Sequence, residues 1–235
     1  VEGRNGYVQQ LAGGASHYIS YSPGNDPIGG SAEISIALKY APSVASDDGS
    51  NRPVFDADGT EYSLIKTSSD TLTLTLGGTL IETISQGTFA PYWKVDQEMI
   101  IVIVSSATTD RTDMYINGVK ILDQDTTAWA QGAITQLYGA GGNGSNSGKG
   151  KWYFFKAWNR LVSASEITGL SADRVNFISA PSRNGLVGYW NMNEDDINGT
   201  TVYDKSGQAN DATHDSAPTS VAGIIKEAVT YNGSS

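Results

Sequence analysis

Carboxylates in two short stretches of the sequence have the spacing of metal ligands. They are Asp56, Asp58 and Glu61 in the first stretch, and Asp204 and Asp211 in the second. Calcium prefers hard oxygen ligands from carboxylates and loop carbonyls, so it is the cofactor that these stretches could bind. For the second stretch an ordinary turn is the alternative, because Asp204 could accept a hydrogen bond from the backbone amide of Ser206 or Gly207. On the sequence alone both readings stay open.

Residues of the common catalytic sites are scarce. The chain has 0 cysteines and 2 histidines, His17 and His214, which lie near opposite ends. That pattern indicates neither a zinc site nor a Ser–His–acid triad. Glycoside hydrolysis needs a pair of carboxylates about 5 Å apart in retaining enzymes. The stretch from Asp56 to Glu61 has a suitable spacing, but Gly59 would interrupt a strand there and favours a turn. The sequence therefore predicts a protein that is not an enzyme.

Sugar binding would need an exposed aromatic ring with hydrogen-bonding groups beside it. Three tryptophans are the candidate ligand-binding residues: Trp93, Trp129 and Trp152. An aromatic residue in a strand packs in a core more often than it forms a binding platform. We therefore expect Trp158, Tyr189 and Trp190 to lie in the core.

Composition excludes several classes of partner. The formal net charge of −10 argues against nucleic acid, because phosphate binding needs concentrated Lys and Arg. No apolar stretch reaches the roughly 18 residues that cross a membrane, so we expect no membrane insertion. Charged residues make up only 17% of a chain that has 27 glycines, as is typical of turn-rich all-β proteins.

Alternating apolar residues predict a series of strands. Residues 31–40 place Ile34, Ile36 and Leu38 on one face, and two successive hairpins follow between residues 54 and 84. The run from Met99 to Val104 is apolar at every position, which predicts a strand in the middle of a sheet with both faces covered. These patterns together indicate an antiparallel β-sandwich.

One hairpin and one helix have specific local signals. The sequence Tyr-Ile-Asn-Gly-Val at residues 115–119 places Asn117 and Gly118 between two strands, and these residues tolerate the positive φ of a type I′ turn. Ser163 and Glu166 have the spacing of a capping box, which predicts a short helix over residues 164–170.

These motifs, with Gly-Leu-Val-Gly-Tyr-Trp at residues 185–190 and Tyr-Asp-Lys-Ser-Gly at residues 203–207, resemble those of laminin-G-like domains. Such domains belong to the concanavalin A-like lectin/glucanase superfamily. The resemblance implies a jelly-roll β-sandwich of two antiparallel sheets with one short helix. It also implies a calcium ion at the rim of the sandwich and a tendency to bind glycans or proteins.

The order of the motifs is permuted with respect to that family. Residues 1–183 are similar to the body of the sandwich, whereas residues 184–235 resemble its first strands. A sandwich that lacks an edge strand exposes unpaired backbone groups, so the second segment should fill that position. It could complete its own sandwich, complete that of a neighbouring subunit, or be half of a second domain in a tandem array.

The functional expectation follows from this arrangement. We expect a non-catalytic structural or adhesive protein on the outside of a cell or on a virion surface. Its terminal strands would support self-association into a filament or array. The alternative is a carbohydrate-binding module of a secreted glycan-active protein.

Overall fold

A computed structural model describes residues 9–11, 19–21, 28, 30–57, 61–132, 137–139, 149–172, 183–192, 196–214, 219–221 and 228–230. These residues form two nine-stranded sheets, called sheet A and sheet B below, and two helices. The jelly-roll sandwich that the sequence predicts is confirmed. The turn predicted at Asp56 to Gly59 lies in part outside the described residues.

Sheet A carries most of the long strands. Its central strands are β3 (Glu33–Pro42), β8 (Met99–Ser106) and β12 (Gly150–Trp158), and β9 (Arg111–Ile116) and β10 (Val119–Asp125) continue it on one side. On the other side lie β1 (Gln9–Leu11), β13 (Leu186–Asn191), β17 (Thr219–Val221) and β18 (Ala228–Thr230). β8 lies between β3 and β9, as the uninterrupted apolar run from Met99 predicts.

Sheet B contains the two predicted hairpins. They form a continuous meander of β4 (Arg52–Ala57), β5 (Tyr62–Lys66), β6 (Leu72–Leu76) and β7 (Thr79–Ile84). The remaining strands are β2 (Ile19–Tyr21), β11 (Leu137–Gly139), β14 (Ile197–Asn198), β15 (Thr201–Val202) and β16 (Ala212–His214). Pairing of β16 with β2 joins the C-terminal part of the chain to an N-terminal strand.

The main core fills the space between the two sheets. Phe55 of sheet B meets Phe155 of sheet A edge to face at 5.8 Å between ring centroids. Trp190 lies 6.0 Å from the same Phe155 ring and is 2% exposed. Trp158, Tyr189 and Trp190 are all buried, which confirms the prediction made for them.

A second apolar cluster covers the outer face of sheet A. Helix α2 (Ala164–Ala172) packs Ile167 and Leu170 against outward-facing residues such as Val102 and Trp158. This explains why β8 is apolar on both faces: one face meets sheet B and the other meets the helix. α2 confirms the helix predicted over residues 164–170. A second helix, α1 (Gln86–Phe89), was not predicted, and it turns Phe89 into the main core.

The C-terminal strands pair with strands from earlier in the chain. β13 pairs antiparallel with β12 from Leu186 to Asn191, and it continues the line of β1, which pairs with the other end of β12. β18 pairs with β1 in parallel, the exception to otherwise antiparallel pairing among the described strands. Neither helix in the described residues is long and apolar enough to cross a bilayer.

Candidate ligand-binding groove

An open groove of about 340 Å³ lies on the outer face of sheet A, beside the start of α2. Side chains along β8 and β9 alternate between the two faces of the sheet. Met114 and Ile116 face the main core, so Asp113 and Tyr115 face outward and form part of the groove floor. We call this site the outer groove. It is lined by Val104, Ser106, Thr109, Arg111, Asp113, Tyr115, Leu161, Val162, Ala164 and Ile167.

A fixed charge pair lies in the floor of the outer groove. Asp113 is 7% exposed, and its Oδ2 accepts a hydrogen bond from Arg111 Nη2 at 3.0 Å. Its Oδ1 accepts one from the backbone amide of Gln124 at 2.7 Å. Gln124 has φ of 54° at an irregular point of β10, which belongs to the sheet edge beside β9. The carboxylate thus holds Arg111 in place while the Arg111 side chain stays 49% exposed.

Tyr115 lines the outer groove, and Lys120 lies beside its ring. The Lys120 Nζ lies 5.5 Å from the centroid of the half-buried Tyr115 ring and 3.4 Å from Asp113 Oδ1. Its hydrogen bond to the exposed Asp123 raises the pKa of Lys120. Lys120 therefore stays protonated, and its contact with the Tyr115 ring helps to hold that ring in place.

The wall opposite β9 is the segment that leads into α2. Ser35, fully buried on β3, accepts a hydrogen bond from the Val162 amide at 2.9 Å and donates one to the Arg160 carbonyl at 2.8 Å. These bonds anchor the segment to sheet A. Leu161 is 38% exposed at the wall, which gives the groove an apolar side opposite its charges.

The start of α2 is closed by the predicted capping box. Ser163 N donates to Glu166 Oε2 at 2.7 Å, and Glu166 N donates to Ser163 Oγ at 3.3 Å. The Arg160 guanidinium contacts both carboxylate oxygens of Glu166 and lowers the pKa of that group to about 2. The wall of the groove is therefore rigid, because each end of the segment is bonded to a fixed element.

The tryptophans proposed as ligand-binding residues lie in the interior. Trp93, Trp129 and Trp152 are 2%, 5% and 1% exposed. The Trp93 indole donates to the Val44 carbonyl, and the Trp129 indole donates to Ser105 Oγ. Trp152 stacks on Phe155 at an interplanar angle of 13°. Rings this deeply buried leave no face for a sugar, so the binding platform that the sequence suggested is not formed by these residues.

The first carboxylate stretch is divided between different surroundings. Asp56 is 5% exposed and alternates with the core residues Phe55 and Ala57 on β4, so it faces the outer side of sheet B. Glu61 follows the turn, where its amide donates to the Ala57 carbonyl at 2.9 Å. Asp58 lies outside the described residues.

The second carboxylate stretch forms a hydrogen-bonded loop. Asp204 Oδ1 accepts from the amides of Tyr189 and Ser206, and Oδ2 accepts from Ser206 Oγ and the Asn210 amide, at 2.6 to 3.0 Å. Asp211 Oδ1 accepts from the Asp204 amide at 2.8 Å. The bond from the Ser206 amide is the turn that the sequence offered as the alternative to calcium. Across the residues that the structure describes, no three acidic or histidine side chains converge as metal ligands.

Little in the sequence indicates the outer groove. Arg111, Asp113 and Tyr115 alternate with apolar residues, but such a pattern is also that of an ordinary solvated strand face. Leu161 follows a strand and precedes a helix cap without any apolar pattern of its own. The packing of the α2 segment across β8 and β9 brings the two sides of the groove together. The two sides are about fifty residues apart in the chain, so no local pattern indicates their contact.

Comparisons with known proteins support the fold. The chain is similar to a candidate carbohydrate-binding protein from Bacteroides ovatus, with a TM-score of 0.60 and 15% identity over 90% of this chain. The chain spans 58% of that protein's length. It is also similar to Trypanosoma rangeli sialidase in complex with the inhibitor DANA, with a TM-score of 0.51 and 12% identity over 70% of this chain and 27% of the sialidase.

A pentraxin from Limulus polyphemus matches with a TM-score of 0.45 and 11% identity over 76% of this chain and 89% of that one. No protein-family model matches the chain, and no curated protein matches it in sequence. At these identities the similarities to the first two proteins concern the fold alone, a β-sandwich.

Proposed function

We propose that the protein is a non-catalytic carbohydrate-binding sandwich that holds a sugar in the outer groove. The observation that carries the proposal is the composition of this groove. A fixed Arg111–Asp113 pair faces the apolar Leu161 across a floor that includes the Tyr115 ring. A sugar offers hydroxyl groups on its edges and C–H groups on its faces, so it matches a site with polar groups on one side and apolar groups on the other.

The preorganisation of the groove favours this use. Arg111 is already oriented by Asp113, and the opposite wall is bonded to Ser35, so a ligand would order few side chains on binding. The comparisons support only the general class of function, because the Bacteroides ovatus protein of similar fold is described as a candidate carbohydrate-binding protein.

Binding to a panel of polysaccharides tests the proposal. We would measure affinity electrophoresis with soluble glucan, mannan, xylan, galactan and mucin glycans, followed by calorimetry with oligosaccharides of any polymer that retards the protein. Tyr115→Ala and Arg111→Ala should each weaken binding at least tenfold. Tyr203→Ala is the matched control, because Tyr203 is 37% exposed and does not line the outer groove. Equal loss in the control, or unchanged binding in both groove variants, would refute the proposal.

Other expectations from the sequence stay predictions. We still expect self-association through the terminal strands and a place on a cell or virion surface. We also still expect the chain to be a laminin-G-like domain in permuted order. Sedimentation of the purified chain would test self-association. A glycosidase screen would test the proposed lack of catalysis.

A further inference from the structure

Arg111 has hydrogen-bond donors that the outer groove does not use. A guanidinium carries five N–H groups in one plane. Asp113 Oδ2 accepts one of them, from Arg111 Nη2 at 3.0 Å, and across the residues that the structure describes no other group accepts a hydrogen bond from Arg111. The Arg111 side chain is 49% exposed, so its remaining N–H groups are within reach of a ligand.

The unused donors include one complete edge of the guanidinium. The two N–H groups of Nη2 belong to different edges, because one lies beside the Nε–H and the other beside an N–H of Nη1. Asp113 accepts a single hydrogen bond from Nη2, so one edge keeps both of its N–H groups. Two parallel N–H groups on one edge are the pair that binds the two oxygens of a carboxylate.

The acceptors in the same corner of the groove are occupied. Asp113 Oδ2 binds Arg111, while Oδ1 accepts from the Gln124 amide at 2.7 Å and lies 3.4 Å from Lys120 Nζ. Asp113 is only 7% exposed, so its carboxylate has little room for a hydroxyl group of a ligand. A sugar hydroxyl both donates and accepts, whereas an ionised carboxylate only accepts. A corner with free donors and filled acceptors therefore fits a carboxylate better than a hydroxyl group.

The charges around Asp113 leave Arg111 able to attract an anion. Asp113 is shared between Arg111 at 3.0 Å and Lys120 at 3.4 Å, so it does not neutralise both cations. Lys120 also pairs with Asp123, whose side chain is 67% exposed and whose charge is therefore screened by water and salt. The net charge of −10 is spread over the whole chain, and exposed charges more than about 8 Å away are largely screened at physiological ionic strength.

We propose that the outer groove takes a carboxylated sugar, such as a uronic acid, and that Arg111 binds its carboxylate. This inference rests on the proposed function and names the class of sugar. The free edge of Arg111 binds both carboxylate oxygens, and the apolar face of the sugar ring lies toward Leu161 on the opposite wall. Because Asp113 already orients the guanidinium, the ligand does not have to order it.

Paired ligands that differ only at the carboxyl group test the inference. Oligosaccharides of polygalacturonate, alginate, hyaluronan, glucuronoxylan and polysialic acid are added to the polysaccharide panel, each beside its methyl ester, and binding is measured by calorimetry. At least one acid should bind, and its methyl ester should bind about tenfold or more weakly, because the ester has no charge to strengthen its hydrogen bonds. Dextran sulfate, a polyanion without carboxylates, should bind more weakly than that acid.

Variants of Arg111 show whether this side chain causes the preference. Arg111→Gln should bind the acid and its ester equally. Arg111→Lys keeps the charge but has no planar edge, so it should keep only part of the preference. Arg183→Gln is the matched control, because it removes the same charge from an exposed residue that does not line the outer groove, and it should keep the full preference.

Failure of this inference is distinguishable from failure of the proposed function. If neutral glycans or methyl esters bind as tightly as the acids, and Tyr115→Ala weakens that binding, the sugar site stands and the carboxylate preference is wrong. A preference that persists in Arg111→Gln, or that is lost equally in Arg183→Gln, would also overturn the inference. Dextran sulfate that binds as tightly as the acids would do the same. If no glycan binds, whether acidic or neutral, both the inference and the proposed function fail.

Discussion

Asp204 is expected to hold strand β13 in place, and its removal should destabilise the whole sandwich. The carboxylate accepts four hydrogen bonds, which tie the loop after β15 to β13. Ser206 is half-exposed and can turn to water when the carboxylate is lost. The amides of Tyr189 and Asn210 cannot do so as readily, because both residues are only 6% exposed.

The magnitude follows from those two amides. Leaving a buried donor unsatisfied costs about 1 to 3 kcal/mol, so Asp204→Ala should lower the free energy of unfolding by about 3 kcal/mol. For a domain of this size the corresponding fall in Tm is about 6 to 12 °C. Asp204→Asn keeps one acceptor oxygen but turns an NH2 group toward other donors, so its effect should lie between those of wild type and Asp204→Ala.

Denaturant unfolding followed by tryptophan fluorescence measures this change. Asp123→Ala is the matched control, because Asp123 has a 67% exposed side chain and contacts only the surface around Lys120. It should leave the midpoint unchanged. If Asp204→Ala unfolds at the wild-type midpoint, the four hydrogen bonds of Asp204 do not stabilise the sandwich. If calcium raised the wild-type midpoint and had no effect on Asp204→Ala, Asp204 would be a metal ligand and the turn would not explain its role.

Three further perturbations test the fold. Gly77→Ala should lower the free energy of unfolding by about 2 to 4 kcal/mol, because Gly77 has φ of 53° and a Cβ there would lie 1.6 Å from the Ala130 carbonyl oxygen. A Cβ at Gly87 meets nothing within 4 Å, so Gly87→Ala is the control and should be neutral or stabilising in urea unfolding. The pKa of Glu166 is lowered to about 2, so the ionised group stabilises the fold fully above its unfolded pKa of about 4.5, and this stability is lost as pH falls toward 2. Glu166→Gln should therefore lower Tm at pH 7, and its Tm should converge with that of wild type near pH 2. Tm curves that stay parallel over this range would contradict the prediction. A chain ending at Ala172 loses Trp190 and the β13 edge, so it should be insoluble or unfolded; a soluble, cooperatively melting product would show that the body stands without the segment.

Local patterns predicted the elements with strong periodic or turn signals. The Asn117–Gly118 turn has φ of 51° and 79°, as a type I′ hairpin requires, and β7 spans Thr79–Ile84 as predicted. The apolar run from Met99 was placed centrally because both of its faces had to be covered. In each case the residues that carry the signal are neighbours in sequence.

Long-range contacts decided what the sequence left open. α1 was missed because its single turn, Gln86–Phe89, has no apolar period and is held by the burial of Phe89. Trp93 and Trp129 were candidate platforms, yet each indole donates to a partner in the interior: the Val44 carbonyl and Ser105 Oγ. The outer groove depends in the same way on packing, since its two sides meet only when α2 covers sheet A.

The proposed function places a sugar between β9 and the segment before α2. A titration of ¹⁵N-labelled protein with the oligosaccharide that binds best in the polysaccharide panel tests it most directly. We expect the largest amide shifts at residues 104–115 and 161–164, and we expect them to saturate with the affinity measured by calorimetry. Saturable shifts confined to another surface, such as the β4–β7 meander, or no shift with any glycan of the panel, would contradict it.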